Sequence, residues 1–205
     1  MRLGCGCLIG VIAVVAALVG LGWAAFNVIQ TPDLRPATVT AADSQRAQEK
    51  IYSIVSRNAP RGSTVTLTEA EINAFLTRNL GDLAIADLRV ALLNAGTARL
   101  TGRTSLGAVL AEAQLSAVRD ILPSGWLARP VWLEIETTPR VEATEGRRFL
   151  RLDVRAFRVG RQPLPAMLVR LILDPATARV LKVVLPEHVD SVRVDPGRAV
   201  IRIAS

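Results

Sequence analysis

The sequence predicts an α+β domain carried behind one N-terminal membrane span. Three observations predict it. An apolar run of 22 residues occupies positions 8–29. Apolar and polar residues alternate in paired segments joined by Gly-containing turns, the pattern of half-buried antiparallel hairpins. Between those pairs, apolar residues recur at spacings of three and four, the pattern of one helix face. Together they imply a curled antiparallel sheet packed against helices.

The apolar run, Leu8 to Ile29, contains no charged residue. At about 1.5 Å per residue a helix of that length spans about 33 Å, enough for a bilayer core. Trp23 and Phe26 lie near its far end, where aromatic rings favour the membrane interface. Pro32 and Pro36 then stop the helix. Gly22-Trp23-Ala24 also has the small-x-small form of a signal-peptidase site. The apolar region is longer than the roughly 7–15 residues of a cleaved signal peptide, so it is read as a retained anchor. Charge does not orient it, because Arg2 on one side is matched by Arg35, Arg46 and Lys50 on the other. An anchor at the extreme N-terminus ordinarily leaves its short end inside. Residues 1–7 are therefore expected in the cytoplasm, 8–29 in the inner membrane, 30–37 as a linker, and 38–205 as a single extracytoplasmic domain.

Composition narrows the function classes. Half of the 205 residues are hydrophobic but only 4% are aromatic, so the core is aliphatic. Few stacking platforms argues against binding single-stranded nucleic acid. The net charge of +7 suits anionic headgroups, although the charges are spread along the chain and also fit an Arg-rich, GC-rich genome. Cys5 and Cys7 precede the apolar run, leaving the domain without a disulfide or a thiolate metal ligand.

A first helix is expected from Asp43 or Ser44 to about Asn58, with Ala47, Ile51, Ile54 and Val55 inward. Thr64 to Leu67 reads as a strand. Thr68 and Glu71 form a capping box opening a helix with Ile72, Phe75, Leu76 and Leu80 inward. Glu69 and Glu71 are read as helix-start acids favoured by the helix dipole, not as an acid–base pair. Leu88–Leu93 and Thr97–Ser105 make a hairpin around Asn94-Ala95-Gly96, with Ala98, Leu100 and Gly102 buried and Arg99, Thr101 and Arg103 wet. A helix over Gly107–Leu122 is expected to turn Val109, Leu110, Val118 and Ile121 inward, with Trp126 in the following loop.

In the longest hairpin Val131, Leu133 and Ile135 face Leu150, Leu152, Val154 and Ala156. Acids on one strand and arginines on the next are expected to pair on the outer face. Pro163-Leu164-Pro165 leads into a short helix with Leu164, Leu168, Leu171 and Ile172 on one side. Val180–Leu185 is a further apolar segment, and a final hairpin turns at Asp195-Pro196-Gly197.

No catalytic set emerges. His188 is the only histidine and reads as a surface or capping residue. The stretch Gly102-Arg103-Thr104-Ser105-Leu106-Gly107 has one residue too many before its serine to be a nucleophile elbow. Neither a phosphate-binding loop nor a metal-ligand cluster is present, so no enzyme activity and no cofactor are expected.

The segments Leu67-Thr68-Glu69-Ala70-Glu71-Ile72-Asn73-Ala74-Phe75-Leu76, then Val159-Gly160 with Leu164-Pro165, then Leu185-Pro186-Glu187-His188-Val189, resemble small membrane-anchored bacterial envelope proteins of the YpmS-like kind and, more loosely, the LmeA-like family. The resemblance implies an extracytoplasmic domain with an elongated antiparallel sheet curling against helices, and for the LmeA-like group phospholipid binding. It transfers no defined ligand contact. The expected function is a non-enzymatic, membrane-tethered lipid-binding module taking membrane lipids, anionic phospholipid included. Leu164, Leu168, Leu171, Ile172, Ile121 and Trp126 are the candidate lipid-lining residues, and Trp23 and Phe26 the candidate anchor-interface residues. The alternative is a structural adaptor for another envelope protein, whose apolar interior is only core.

Overall fold

The computed structural model describes residues 19, 20, 22, 23, 26–32, 39–79, 85–112, 116–144, 146–165 and 182–205. Most of the expected span 8–29 lies outside them, as do Leu80 and the whole of Leu168, Leu171 and Ile172. Among the described residues no helix is long and apolar enough to cross a membrane.

The domain is α+β, with antiparallel strands in two open sheets. Helix α1 covers Ala41–Val55 and is followed by β1, Thr64–Thr68, and α2, Glu69–Asn79. Strands β2 (Ala86–Leu92) and β3 (Ala98–Ser105) precede three short helices, α3 (Leu106–Glu112), α4 (Ser116–Ile121) and α5 (Ser124–Leu127). The long hairpin pairs β4, Pro130–Thr144, with β5, Arg147–Val159. The chain ends with β6 (Gln162–Pro163), β7 (Lys182–Leu185), β8 (Val189–Asp195) and β9 (Arg198–Ile203). Strands β2 to β6 run in sequence order in the larger sheet, with β7 also paired to β5. The smaller sheet has the order β1-β9-β8, so the final hairpin closes on β1 instead of extending a single elongated sheet.

The larger sheet has one aliphatic and one charged face, as the alternation requires. Leu100 stands opposite Ile135, and Ile135 opposite Phe157. The register of β5 slips between Glu136 and Thr137, which pair with Ala156 and Val154. Arg155 is the extra residue of this bulge. A bulge flips the faces beyond it, so Ala156 falls on the charged side, contrary to the expected alternation, while Phe157 and Val159 supply the core. On the charged face Arg99 donates to Glu136 (2.8 Å), and Arg158 pairs with both Glu134 and Glu136. Glu134 and Thr101 are buried beneath this network, so Thr101 is not the wet residue that alternation alone suggests. Burial lowers the pKa of Arg158, but the hydrogen bond and charge of Glu134 outweigh it, and the net shift is upward.

The smaller sheet and α2 cover one end of the aliphatic face. Val194 and Ala199 meet Leu92 and Ala98 there, with Ile72 and Val90 packed alongside. A second cluster joins Ile54 of α1 to Val189 and Ile203. Thr40, not Asp43 or Ser44, caps α1; Asp43 is the third residue of its capping box and is held below the usual carboxylate range, mainly by the Thr40 hydroxyl and amide. Val55 is 64% exposed, because the helix ends there and turns its last residue away from the cluster.

Helix α2 departs most from the expected pattern. Ile72, Phe75 and Leu76 are only half-buried, whereas Glu71, Asn73 and Ala74 are buried. The reason is that α2 lies along the open edge of β2. Asn73 donates Nδ2–H to the Val90 carbonyl (2.8 Å) and accepts the Val90 N–H (2.7 Å). Glu69 accepts the Leu92 N–H at 2.8 Å. The Gly197 N–H donates to the Leu92 carbonyl (3.0 Å), and the Gly197 carbonyl accepts the Glu69 N–H (2.9 Å). Two side chains and one turn thus satisfy an edge that would otherwise be bare. Glu71 completes the capping box with Thr68 and accepts Lys50 Nζ at 2.8 Å on both oxygens. Lys50 also donates to the Thr66 carbonyl at 2.8 Å, tying α1 to β1.

Burial pushes the Glu71 carboxyl up, but hydrogen bonds from Lys50 and the Thr68 amide, with the Lys50 charge, bring the net value below the ordinary 4.5. A carboxylate with a depressed folded-state pKa contributes stability above its unfolded pKa and loses it as pH falls through the folded one. Chemical denaturation should therefore show wild-type stability declining below about pH 4.5, with Glu71→Gln less stable at neutral pH and less acid-sensitive. For the edge clamp, Asn73→Ala should cost about 1–3 kcal/mol. Hydrogen exchange should speed up at the Val90 amide more than at Leu100, its partner inside the sheet.

Candidate functional site

The candidate site is the end of the long sheet where β3 finishes, β4 begins and β5 finishes. Val131, Phe157 and Val159 are buried there. Val28, Leu106, Val109, Leu133, Ile135, Val154 and Leu164 pack around them. Val28 belongs to the N-terminal segment, whose residues 26–28 are helical. The Asn27 carbonyl accepts the Arg161 N–H at 2.8 Å, and the Thr31 carbonyl accepts Arg161 Nε–H at 3.1 Å. Among the described residues, Asn27, Val28 and Thr31, which precede position 38, make contact with the domain.

This docking depends on Gly160. Its φ is +59°, a region that costs other residues energy. Its N–H donates to the Trp132 carbonyl at 2.7 Å. A Cβ at this position would collide with the carbonyl oxygens of Asn27 and Val28. The Val159-Gly160 step therefore lets two backbones approach closely, a role that composition does not reveal.

The three short helices frame the same end. Ser105 Oγ accepts the Ala108 N–H (3.1 Å) to start α3, and the Leu106 N–H donates to the Arg129 carbonyl (2.9 Å). Gly107 packs against Leu127, whose carbonyl oxygen would lie 3.2 Å from an added Cβ. Of the helix expected over Gly107–Leu122 the described residues give two helical stretches, α3 and α4, with 113–115 outside the described residues. Its first part turns Val109 and buried Leu110 inward. Its second part, α4, buries nothing; Val118 and Ile121 face outward, and Ile121 is 82% exposed. Trp126 sits in the one-turn helix α5, partly exposed, with the Arg129 guanidinium 5.0 Å from its ring centroid.

Of the expected lining residues that are described, Leu164, Ile121 and Trp126, Leu164 is the one brought to the aliphatic cluster, where its N–H also donates to the Phe157 carbonyl (2.9 Å). Ile121 and Trp126 stand on the outside of the same end. Trp23 and Phe26 are helical and exposed. From this end the aliphatic strip continues along β4 and β5 through Thr137, Pro139 and Val141 opposite Val154, Leu152 and Leu150. Leu150 in turn faces Val183 of β7. Pro139, Val141, Leu150, Leu152 and Val154 are half-buried and Val183 is exposed.

His188 Nε2 lies 2.6 Å from the Ile54 carbonyl in the last turn of α1, a helix-capping contact. The cleft of about 480 Å³ beside it is lined by Arg57, Arg61, Glu187 and the C-terminal residues. Among the described residues no group of three or more His, Cys, Asp or Glu converges as a metal site. In comparisons with known proteins, no family model matches the chain and no curated protein matches it.

The docking can be tested by truncation. A chain starting at Phe26 should melt roughly 4–8 °C above one starting at Ala37, since burying part of Val28 and two hydrogen bonds contributes about 2 kcal/mol. Gly160→Ala should abolish the difference. Equal melting temperatures for the two starts would show that the segment does not stabilise the domain.

Proposed function

We propose that the protein is a non-enzymatic, membrane-tethered module that holds a membrane lipid against the aliphatic face of its long sheet, on the outer side of the inner membrane. The observation that supports this most is the apolar strip on β4 and β5, aliphatic on either side of Thr137, whose buried hydroxyl donates to the Ala98 carbonyl. The strip starts at the buried cluster where the N-terminal segment docks, is fully covered at Thr137, and is half-buried beyond it at Pro139, Val141, Leu150 and Leu152. Val131 to Val141 spans about 33 Å at ~3.3 Å per residue. One leaflet of bilayer hydrocarbon is about 15 Å deep, half of a ~30 Å core, so the strip can accommodate an acyl chain lengthwise. Aliphatic side chains with no buried charge among them suit such a ligand. On the opposite face the Arg99, Arg158, Glu134 and Glu136 network and the cleft of about 560 Å³ at Arg99, Glu136, Glu69 and Asn94 are polar and suit hydrocarbon less well.

The tether is the apolar run 8–29, whose end is positioned against this strip through Val28. A lipid leaving the bilayer beside the anchor would thus meet the aliphatic face at its buried end. Binding would be passive, driven by removing hydrocarbon from water.

Native mass spectrometry of the full-length protein, released from mild detergent, should show phospholipid adducts. Leu152→Glu should remove them while lowering the melting temperature only modestly, because a half-buried acid can turn toward water. Wild-type protein without any lipid adduct would sink the lipid reading and leave the adaptor role as the better account.

A further inference from the structure

We infer that α4 and α5 form a second membrane contact, a shallow wedge that inserts into the headgroup region beside the anchor and sets the domain's tilt. The inference rests on the reading of residues 8–29 as an anchor.

Three observations carry it. First, α4 buries none of its residues yet presents Val118 and Ile121 outward, at 44% and 82% exposure. Trp126 of α5 adds an exposed aromatic surface. Apolar side chains at i and i+3 on one short helix, next to a tryptophan, are costly in water and suited to an interface. Second, the patch lies at the anchor's end of the domain. Leu106 and Val109 of α3 share one cluster with Val28. Helix α5 is held to the start of α3 by the Leu106–Arg129 hydrogen bond and the Gly107–Leu127 contact. The patch therefore cannot be far from the membrane if the N-terminal helix crosses it. Third, the surrounding charge suits a lipid surface. Arg129 stacks on Trp126, and Arg119 is exposed beside Ile121, accompanied by one acid, Asp120. An aromatic ring topped by a guanidinium is a common way to place hydrocarbon below and a cation at the phosphates.

A bilayer fits better than a protein partner because the patch is small, carries Arg119 and Arg129 at its edge, and lies at the end of the domain where Val28 docks. The predicted consequence is orientation. With α4 and α5 in the headgroups, the β4–β5 hairpin tip near Ala143, some 13 residues from Pro130 and roughly 43 Å away along the strand, points away from the membrane.

The test uses full-length protein with Cys5 and Cys7 changed to Ser, reconstituted in phosphatidylethanolamine–phosphatidylglycerol vesicles. Single cysteines replace Trp23, Ile121 or Ala143, all exposed, and carry an environment-sensitive fluorophore. Nitroxide lipids labelled at shallow and deep positions serve as quenchers. Labels at 121 are expected to be quenched strongly by the shallow nitroxide and weakly by the deep one. Labels at 143 should be unaffected, and labels at 23 quenched by at least one of the two. Quenching at 23 without quenching at 121 would overturn the wedge while leaving the anchor intact. No quenching at 23 would overturn the anchor, and the wedge with it. In the same vesicles, the double change Ile121→Ser with Trp126→Ser should raise quenching at 143, as the domain loses its fixed tilt; an unchanged value would count against the orienting role.

Discussion

The architecture depends on one buried polar arrangement, the clamp made by the first turn of α2. Within six residues, Thr68, Glu69, Glu71 and Asn73 cap their own helix, fasten α1 through Lys50 and satisfy the free edge of β2. The Glu69 amide also reaches the β8–β9 turn at Gly197. Without this, the smaller sheet, both long helices and the larger sheet would share only modest aliphatic contacts. A buried ion pair contributes little net energy compared with an apolar replacement, yet removing one partner is expensive. The clamp's role is therefore to define which edge meets which helix, while Leu92, Ala98, Val194 and Ala199 supply the burial.

The long β4–β5 hairpin works on a different principle. Its charged face is closed by paired arginines and glutamates, and its aliphatic face is closed at one end by the smaller sheet and α2, at the other by the N-terminal segment. The bulge at Arg155 makes this possible. It changes which residues of β5 face inward, so that Phe157 and Val159 join Val131 and Leu133 in the same cluster that receives Val28. Docking the N-terminal segment onto the domain limits how the proposed anchor and the sheet can move relative to one another. In the proposed reading, such a tether would position the lipid-binding surface instead of merely confining it.

Much of the fold was legible in the residues, because most of the signals were local. Alternation in Val131–Ile135, the Asn94-Ala95-Gly96 and Asp195-Pro196-Gly197 turns, and the Thr68–Glu71 capping box each need only neighbours along the chain. Readings failed where a distant element decided the outcome. Phe75 looked like core because helical spacing says nothing about an adjacent sheet edge wanting Asn73 and Glu71 instead. Val118 and Ile121 looked inward because helical spacing does not say whether any neighbour covers the apolar stripe. Ala156 was assigned to the wrong face because a bulge has no signature in hydropathy. The candidate site was legible only in part: Leu164 could be named from its stripe, but Val28 and Gly160 act through a contact between positions more than 130 apart in sequence.

The sequence by itself determined the class of the domain, its aliphatic core, the hairpins and the apolar N-terminal run, since each follows from local periodicity, turn chemistry and the length of uninterrupted hydrophobicity. Only the tertiary structure decided that the strands divide into two sheets, that the acids opening α2 serve a strand edge, and that the N-terminal segment seats on the far end of β5. Those outcomes hinge on which backbone groups remain unsatisfied after local structure has formed, and on where a glycine leaves room for a second chain segment. Both are properties of elements brought together from distant positions, and neither is written in any one stretch of residues.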